Sequence, residues 1–334
     1  MTIRTKLLSI STAGIALVSL ATIAASYYAI HKELGRRTAD ELNSKRYALE
    51  TEVSTTRDNM AAVATLAATH PALVRMVAQK DSENLAKMLH ELLSSTGYHV
   101  ATVSDSQGMV VARGHSKRRG DSVTNQQNVV KALRGMASAG FEQGTEAGFS
   151  LRAGQPIREG DRIIGCLTLG FDFAKSELVD RFKKAHNVEA TLFLGDTRVA
   201  TTIVKEGKRA TGTKMQDPKV IETVLQSGNV YHAETEILGQ PHDTVYWPAK
   251  DADGKITGMF FVGMSRDVLN NTTREATTTV GLVAVIVALS MAFIVSVVLG
   301  ATCRRLTVLQ QVADSIALGD CDSASHMLAA MGQR

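Results

Sequence analysis

Residues 149–172 read FSLRAGQPIREGDRIIGCLTLGFD, and the order of residue types there sets the architecture. Phe149–Ala153 and Arg162–Phe171 are apolar runs of strand length, with turn residues Glu159-Gly160-Asp161 before the second. That is a hairpin. Working back from it, His99–Ser104 and Met109–Arg113 read as two further strands around a turn at Asp105-Ser106. A helix is expected over about 126–136, and another over about 175–186 closes the unit.

The same grammar returns downstream. Strands are predicted at Glu189–Leu194, Arg198–Ile203, Val230–Leu238, Thr244–Ala249 and Lys255–Met264, with a helix over about 218–226. The closing hairpins echo each other: residues 159–165 in the first unit, Asp251 to Gly258 in the second, each strand ending near an acid, Asp172 or Asp267. A repeat of roughly 80 residues with this content predicts two stacked α+β units, each an antiparallel sheet with helices on one face.

Upstream, residues 35–71 hold no glycine between Gly35 and Pro71. Leu42, Leu49 and Val63 share one sevenfold row, and Val53, Met60 and Ala67 share the next. A long amphipathic helix follows, its stripe either packed on its own domain or forming a dimer seam. After His70-Pro71 a second helix is expected over about 82–95.

Two uncharged stretches flank all this, Leu7 to about Ile30 and Ala276 to Cys303. Each exceeds the roughly 20 residues that cross a bilayer as helix. The first could instead be a cleaved signal peptide, but it runs on into the helical pattern unbroken. Arg304 and Arg305 after the second stretch favour a cytoplasmic C-terminus, which puts the middle of the chain outside. The formal charge of +4 comes with mixed signs and no basic run, so nucleic acid is excluded as a partner class. Cys166 is alone in the middle region, so no internal disulfide is expected there, and no paired Cys/His spacing suggests a metal or cofactor. No nucleophile elbow, phosphate loop or HExxH occurs, and the chain is not expected to be an enzyme.

The segments VVARGHSKRRGDSVTNQQNVVKALRG (110–135), GFSLRAGQPIREGDRIIGCLTLGFD (148–172), LGDTRVATTIVKEGKRATGTKMQDPKVIETVLQSG (194–228) and TVYWPAKDADGKITGMFFVGMSRD (244–267) resemble, in order, the double-Cache sensory domains of bacterial transmembrane receptors, chiefly methyl-accepting chemotaxis proteins. Leu309, Val312 and Ile316, followed by Gly319-Asp320, resemble the opening of a HAMP signal-transmission domain, although its usual proline is missing. The resemblance implies an α+β fold of two stacked PAS-like (Cache) modules with a long N-terminal helix, set between two transmembrane helices. The implied layout is a cytoplasmic terminus 1–6, a span 7–30, a helical stalk 31–96, a membrane-distal module 97–187, a proximal module 188–270, a second span 276–303 and a partial HAMP-like tail 304–334. The implied role is an extracytoplasmic small-molecule sensor for chemotaxis in the bacterial inner membrane, without its own output region. It would act as a homodimer or as a mixed dimer with a full-length receptor. The alternative is a membrane-tethered binding or adaptor protein that does not signal.

The candidate ligand groups centre on the first unit. Arg113 and His115 lie just past a strand end, and Ser150 and Arg152 point the same way from the next strand. Arginine offers a carboxylate a planar two-point fork, so the ligand class is an organic acid or amino acid. In carboxylate-sensing relatives an arginine-then-histidine pair after this strand contacts the ligand, and Arg113 and His115 match it approximately in spacing. Asp121 and Asp172 join the site or serve as internal partners of the two arginines, while Lys117, Arg118 and Arg119 read as solvated surface. In the second unit Tyr231, Asp243, Tyr246 and Trp247 are secondary candidates for an amine or amino acid, with strand core as the competing reading. Arg198 reads as structural.

Overall fold

The computed structural model describes residues 3–317 apart from 145, 147, 176 and 238. The chain forms two units, Arg37–Asp267, and Met1–Arg36 with Val268–Arg334. Gly319-Asp320, expected where a HAMP-like first helix ends, and Cys321 lie outside the described residues.

Helix α1 runs from Ile3 to Ala68 and carries the 7–30 stretch, where Leu17, Val18 and Leu20 are exposed. Within 37–68 its buried row is Leu42, Leu49, Val53, Met60, Ala64 and Ala68. The predicted rows are therefore met at the start and drift by one position at the end, because 3.6 residues per turn outpaces a strict seven. Pro71 opens α2 (Pro71–Ala78), which bends 65° from α1 and buries Leu73 and Val77. This bent pair is apolar through packing inside its own unit and needs no bilayer. Asp81 caps α3 (Ser82–Thr96) by accepting the Asn84 N–H. At the far end, α7 (Arg266–Ala317) contains Gly281–Ala313, a segment long and apolar enough to cross a membrane and unburied throughout its apolar window.

Between these helices lie two five-stranded antiparallel sheets. The first contains β1 (Val100–Asp105), β2 (Val110–Arg113), β3 (Ser138–Gln143), β4 (Phe149–Glu159) and β5 (Arg162–Asp172), in the order β2-β1-β5-β4-β3. Helix α4 (Gln127–Leu133) links its second and third strands, and α5 (Leu178–His186) leads out. The second sheet contains β6 (Glu189–Leu194), β7 (Thr197–Thr201), β10 (Tyr231–Ile237), β11 (Gln240–Lys250) and β12 (Ile256–Ser265). Two-residue strands β8 (Val204–Lys205) and β9 (Lys208–Arg209) form a small hairpin, and α6 (Pro218–Val220) continues as a π-helical turn to Gln226. The order β10-β11-β12-β6-β7 is the first sheet's order read from the other edge. The repeat read from the hairpins is thus a repeat of topology. Strand β3 is one the sequence pattern passed over.

Alternation fixes the two faces of the first sheet. A Cβ on Gly154 would meet the Asn128 carbonyl oxygen at 2.3 Å, so α4 lies on the face shared by Gly154 and Arg152. Val110, Val123, Val129, Ala132 and Cys166 form a small core there. A Cβ on Gly114 would meet Leu89 backbone at 2.6 Å, which places α3 on the opposite face. The two sheets touch where Phe141 of β3 meets Phe260 of β12 edge-on, with ring centroids 5.5 Å apart.

Candidate functional site

Under α4 a polar row crosses the first sheet. Arg113 on β2 pairs in register with Thr102 on β1, and Thr102 pairs with Thr168 on β5. Thr168 faces Gly154 on β4, and Arg152 lies two residues along the same strand on the same face. Arg113 and Arg152 therefore have two strands between them yet line one cavity, together with Thr102, His115, Gln126 and Thr168. Both arginines are only 4 % exposed. Buried guanidinium groups are rare without dense hydrogen bonding, and these have it.

Arg113 grips Asp121 with both nitrogens, Nη1 to Oδ1 at 2.7 Å and Nη2 to Oδ2 at 2.9 Å, and Nη1 also donates to the Arg118 carbonyl at 2.8 Å. That fork holds the Asp121 carboxyl down to about 2. Arg152 donates from Nε to Ser150 Oγ at 2.8 Å and from Nη1 to Gln126 Oε1 at 2.7 Å. Its burial lowers its pKa to about 10, against the favourable charges of Glu142 and Asp172. His115 Nδ1 lies 3.3 Å from the Ala101 amide nitrogen and 3.2 Å from its carbonyl oxygen. Burial, aided by the positive Arg113 and Arg152, lowers its pKa to about 4, so the ring is neutral at pH 7.

The structure brings Arg113, His115 and Arg152 to one cavity, with Asp121 bonded to Arg113 and Ser150 to Arg152. Asp172 sits opposite Ser150 in the ladder on the same face, its Oδ1 accepting the Ala174 N–H at 2.9 Å. Thr102, Val123, Gln126, Glu146 and Thr168 complete the lining, with Glu146 accepting from Arg118 Nη1 at 2.8 Å. Glu142, buried with a raised pKa, accepts the Asn128 N–H at 3.1 Å. The sequence pattern marks none of these six as a site residue. The enclosed volume is about 10 Å³, room for about one water.

The secondary candidates do not gather. Tyr246 faces the α6 side, in a cluster with Phe193, Met259 and Phe261. Trp247, its neighbour on the strand, faces the other way and stacks on Phe260 at 5.4 Å. Asp243 is held by Arg266, with contacts of 2.7 and 3.0 Å, and Tyr231 is half-buried opposite Tyr246 on the edge strand. Alternation along β11 forbids one pocket from using both Tyr246 and Trp247.

Residues 172–276, which contain the whole second sheet, match the family model for single cache domain 3. No curated protein matches the chain. Among solved structures, the sensor domain of the V. cholerae histidine kinase DctB is similar at 12 % identity, covering 69 % of this chain and 98 % of that one with a TM-score of 0.47. The ligand-binding domain of the Campylobacter jejuni chemoreceptor Tlp3, in complex with 4-methylisoleucine, is similar at 14 % identity over 72 % and 94 %, TM-score 0.48. The E. coli DcuS sensor domain shares 23 % identity over 40 % of this chain and 98 % of its own, TM-score 0.33. At such scores the similarity transfers no ligand, residue role or partner. Residues 172–276 are thus similar to a single cache domain, and a sheet of the same strand order precedes them.

Proposed function

We propose that this chain is the sensing part of a transmembrane receptor of the chemoreceptor type, with two Cache-type modules, 97–187 and 188–270, exposed outside the inner membrane between spans 7–30 and 276–303. The first module recognises a small organic acid or amino acid through its carboxylate. The observation that carries this reading is the convergence of Arg113, His115 and Arg152 on one buried sheet face. The family match supports the second module, and the shared strand order supports the first as its counterpart. Gly281–Ala313 supports the second span. The reading is of a binder and not a catalyst, and of a homodimer or mixed dimer with a full-length receptor.

Arg152 is the group that would change partners. Its Nη1 now rests on the neutral Gln126 amide oxygen, an acceptor that a ligand carboxylate outcompetes through charge. Arg113, already neutralised by Asp121, positions the edge of the site. The present cavity holds about one water, so a ligand of several heavy atoms binds only as the loop over the sheet and the strands beneath give way. That coupling is what a sensor needs, because a ligand biases a conformation only by binding one arrangement better than another.

The test is calorimetric and thermal titration of the full chain with succinate, malate and a set of amino acids. One of them is expected to bind, with Arg152→Ala abolishing the response and His115→Asn weakening it. No response to any acid, or one that survives Arg152→Ala and Arg113→Ala alike, would sink the assignment.

A further inference from the structure

We infer that the second sheet carries a binding site of its own, a cleft that takes a carboxylate on Arg198 and the apolar body of the same molecule on an aromatic floor. This goes beyond the first-module site and does not depend on it. The cleft has a volume of about 490 Å³. Small-molecule sites fall at roughly 300–1,000 Å³. Its inner wall is Phe193, Met215, Tyr246 and Phe261, all buried. The exposed Lys205 and Lys214 stand at its mouth.

Arg198 is the polar group aimed at this wall. It leaves the edge strand β7 opposite Phe193, and its guanidinium carbon lies 5.1 Å from that ring's centroid. Nη1 donates to Thr213 Oγ1 at 2.8 Å and to the Lys214 carbonyl at 3.3 Å. Its buried Nε meets no acceptor, and no carboxylate pairs with it among the described residues. Arg113, at the corresponding strand of the first sheet, is by contrast locked to Asp121. A buried donor without an acceptor is costly, and a ligand oxygen supplied to Nε relieves that cost on binding. Burial also weakens the guanidinium's hold on its charge, which an incoming anion would restore.

The neighbouring charges agree with an anion. Lys214 lines the cleft, and the acid paired with it at 3.2 Å, Asp196, lies outside the lining. Of the two lining acids, Asp217 accepts the Lys219 N–H at 2.9 Å as a helix cap, and Glu236 is an exposed residue on the edge strand β10. The depth of the cleft is apolar, so an inorganic anion would leave most of the wall unused. A short aliphatic or aryl carboxylate uses both halves.

The experiment uses the full chain in detergent micelles, titrated with sodium 4-methylpentanoate and phenylacetate, with the uncharged amides of both as controls. Saturable binding of an acid and none of its amide is expected. Arg198→Gln should weaken it by about tenfold or more, the loss of one charge-assisted fork. Arg152→Ala should leave it unchanged. Ala210→Leu narrows the cleft from a half-buried lining position and should weaken binding while the melting temperature holds, so the outcome does not rest on one variant folding. Neither acid binding at about 10 mM, a regime that detects even weak sites, overturns the inference. So does binding that survives both Arg198→Gln and Ala210→Leu. Binding lost only in Arg152→Ala overturns it too, by moving the acid to the first sheet and leaving the proposed function intact.

Discussion

The first sheet and the second are threaded in the same order, yet the faces they turn to their covering helices differ in chemistry. Under α4 the first sheet holds Thr102, Arg113, Ser150, Arg152 and Thr168, joined to Gln126 and Asp121. Under α6 the second holds Phe193, Tyr246, Met259 and Phe261, with Val220 and Val224 packed on them. One topology thus supports a network held by hydrogen bonds and charge, and a core held by apolar contact. The first should be sensitive to protonation, the second to lost volume.

The largest expected effect tests the second half of that contrast. Phe261→Ala deletes a ring that is 2 % exposed in the α6 cluster. Removing a buried phenylalanine costs about 3–5 kcal/mol, the transfer term plus the cavity left behind. Urea denaturation should read this as a lowered midpoint. A change below about 1 kcal/mol would mean the cluster is not the packed core described.

Next in size is the join between the sheets. A Cβ on Gly140 would lie 2.1 Å from the Ala252 backbone nitrogen, so β3 can approach the 251–252 turn only without a side chain. Gly140→Ala should cost about 1–3 kcal/mol as overpacking. It should also weaken the Phe141–Phe260 contact, which Trp247 reports because it stacks on Phe260. A shift in tryptophan emission with no loss of stability would mean the two sheets part freely.

Acid tests the first half. His115 has a folded pKa of about 4 against its ordinary 6.5, so its contribution is complete at neutral pH and falls as pH drops from about 6.5 to about 4. Asp121, about 2 against an ordinary 3.8, adds a second loss between about 4 and 2, as the Arg113 pair is protonated away. His99 and His232 are lowered by burial and act in the same direction as His115. His115→Asn should therefore flatten, without abolishing, the fall in urea midpoint between pH 7 and pH 5. An unaltered slope would show that His115 is not buried neutral.

Much of this contrast was legible in the chain. The two closing hairpins gave away the repeat because turn glycines and apolar strands leave a strong local pattern. Ser150 and Arg152 were placed on one face by alternation alone, and the Arg152 Nε–Ser150 Oγ bond has that geometry. The same rule applied to Tyr246 and Trp247 separates them, so the fold forms no joint site there and both rings are strand core, the competing reading of that stretch. Strand β3, SAGFEQ, lacks a run of β-branched residues and is a strand because it pairs with β4 over six residues. Gln126 and Thr168 carry no local mark, since only the docking of α4 and the sheet register bring them to Arg152. Arg198 reads as structural in the chain alone, and its burial depends on the return of residues 213–215, a contact no window of sequence contains.

The smallest expected effect concerns how the halves communicate. Lys131 of α4 reaches across to the second sheet's turn, donating to the Ala252 carbonyl at 2.7 Å and pairing with Asp253 at 2.5 Å. Both side chains are partly exposed, so Lys131→Met should cost under about 1 kcal/mol. Its place matters more than its strength. Helix α4 covers the arginine pair on one side, and the same helix holds the neighbouring sheet through this lysine. If α4 moves when a carboxylate enters, the movement reaches Ala252 through Lys131, and Trp247 emission should change on ligand addition in the parent chain. In Lys131→Met the ligand should bind with nearly its original affinity while the emission change shrinks. An emission change of full size in the variant would assign the coupling to the Phe141–Phe260 contact instead, since that contact also joins the sheets and reaches Trp247.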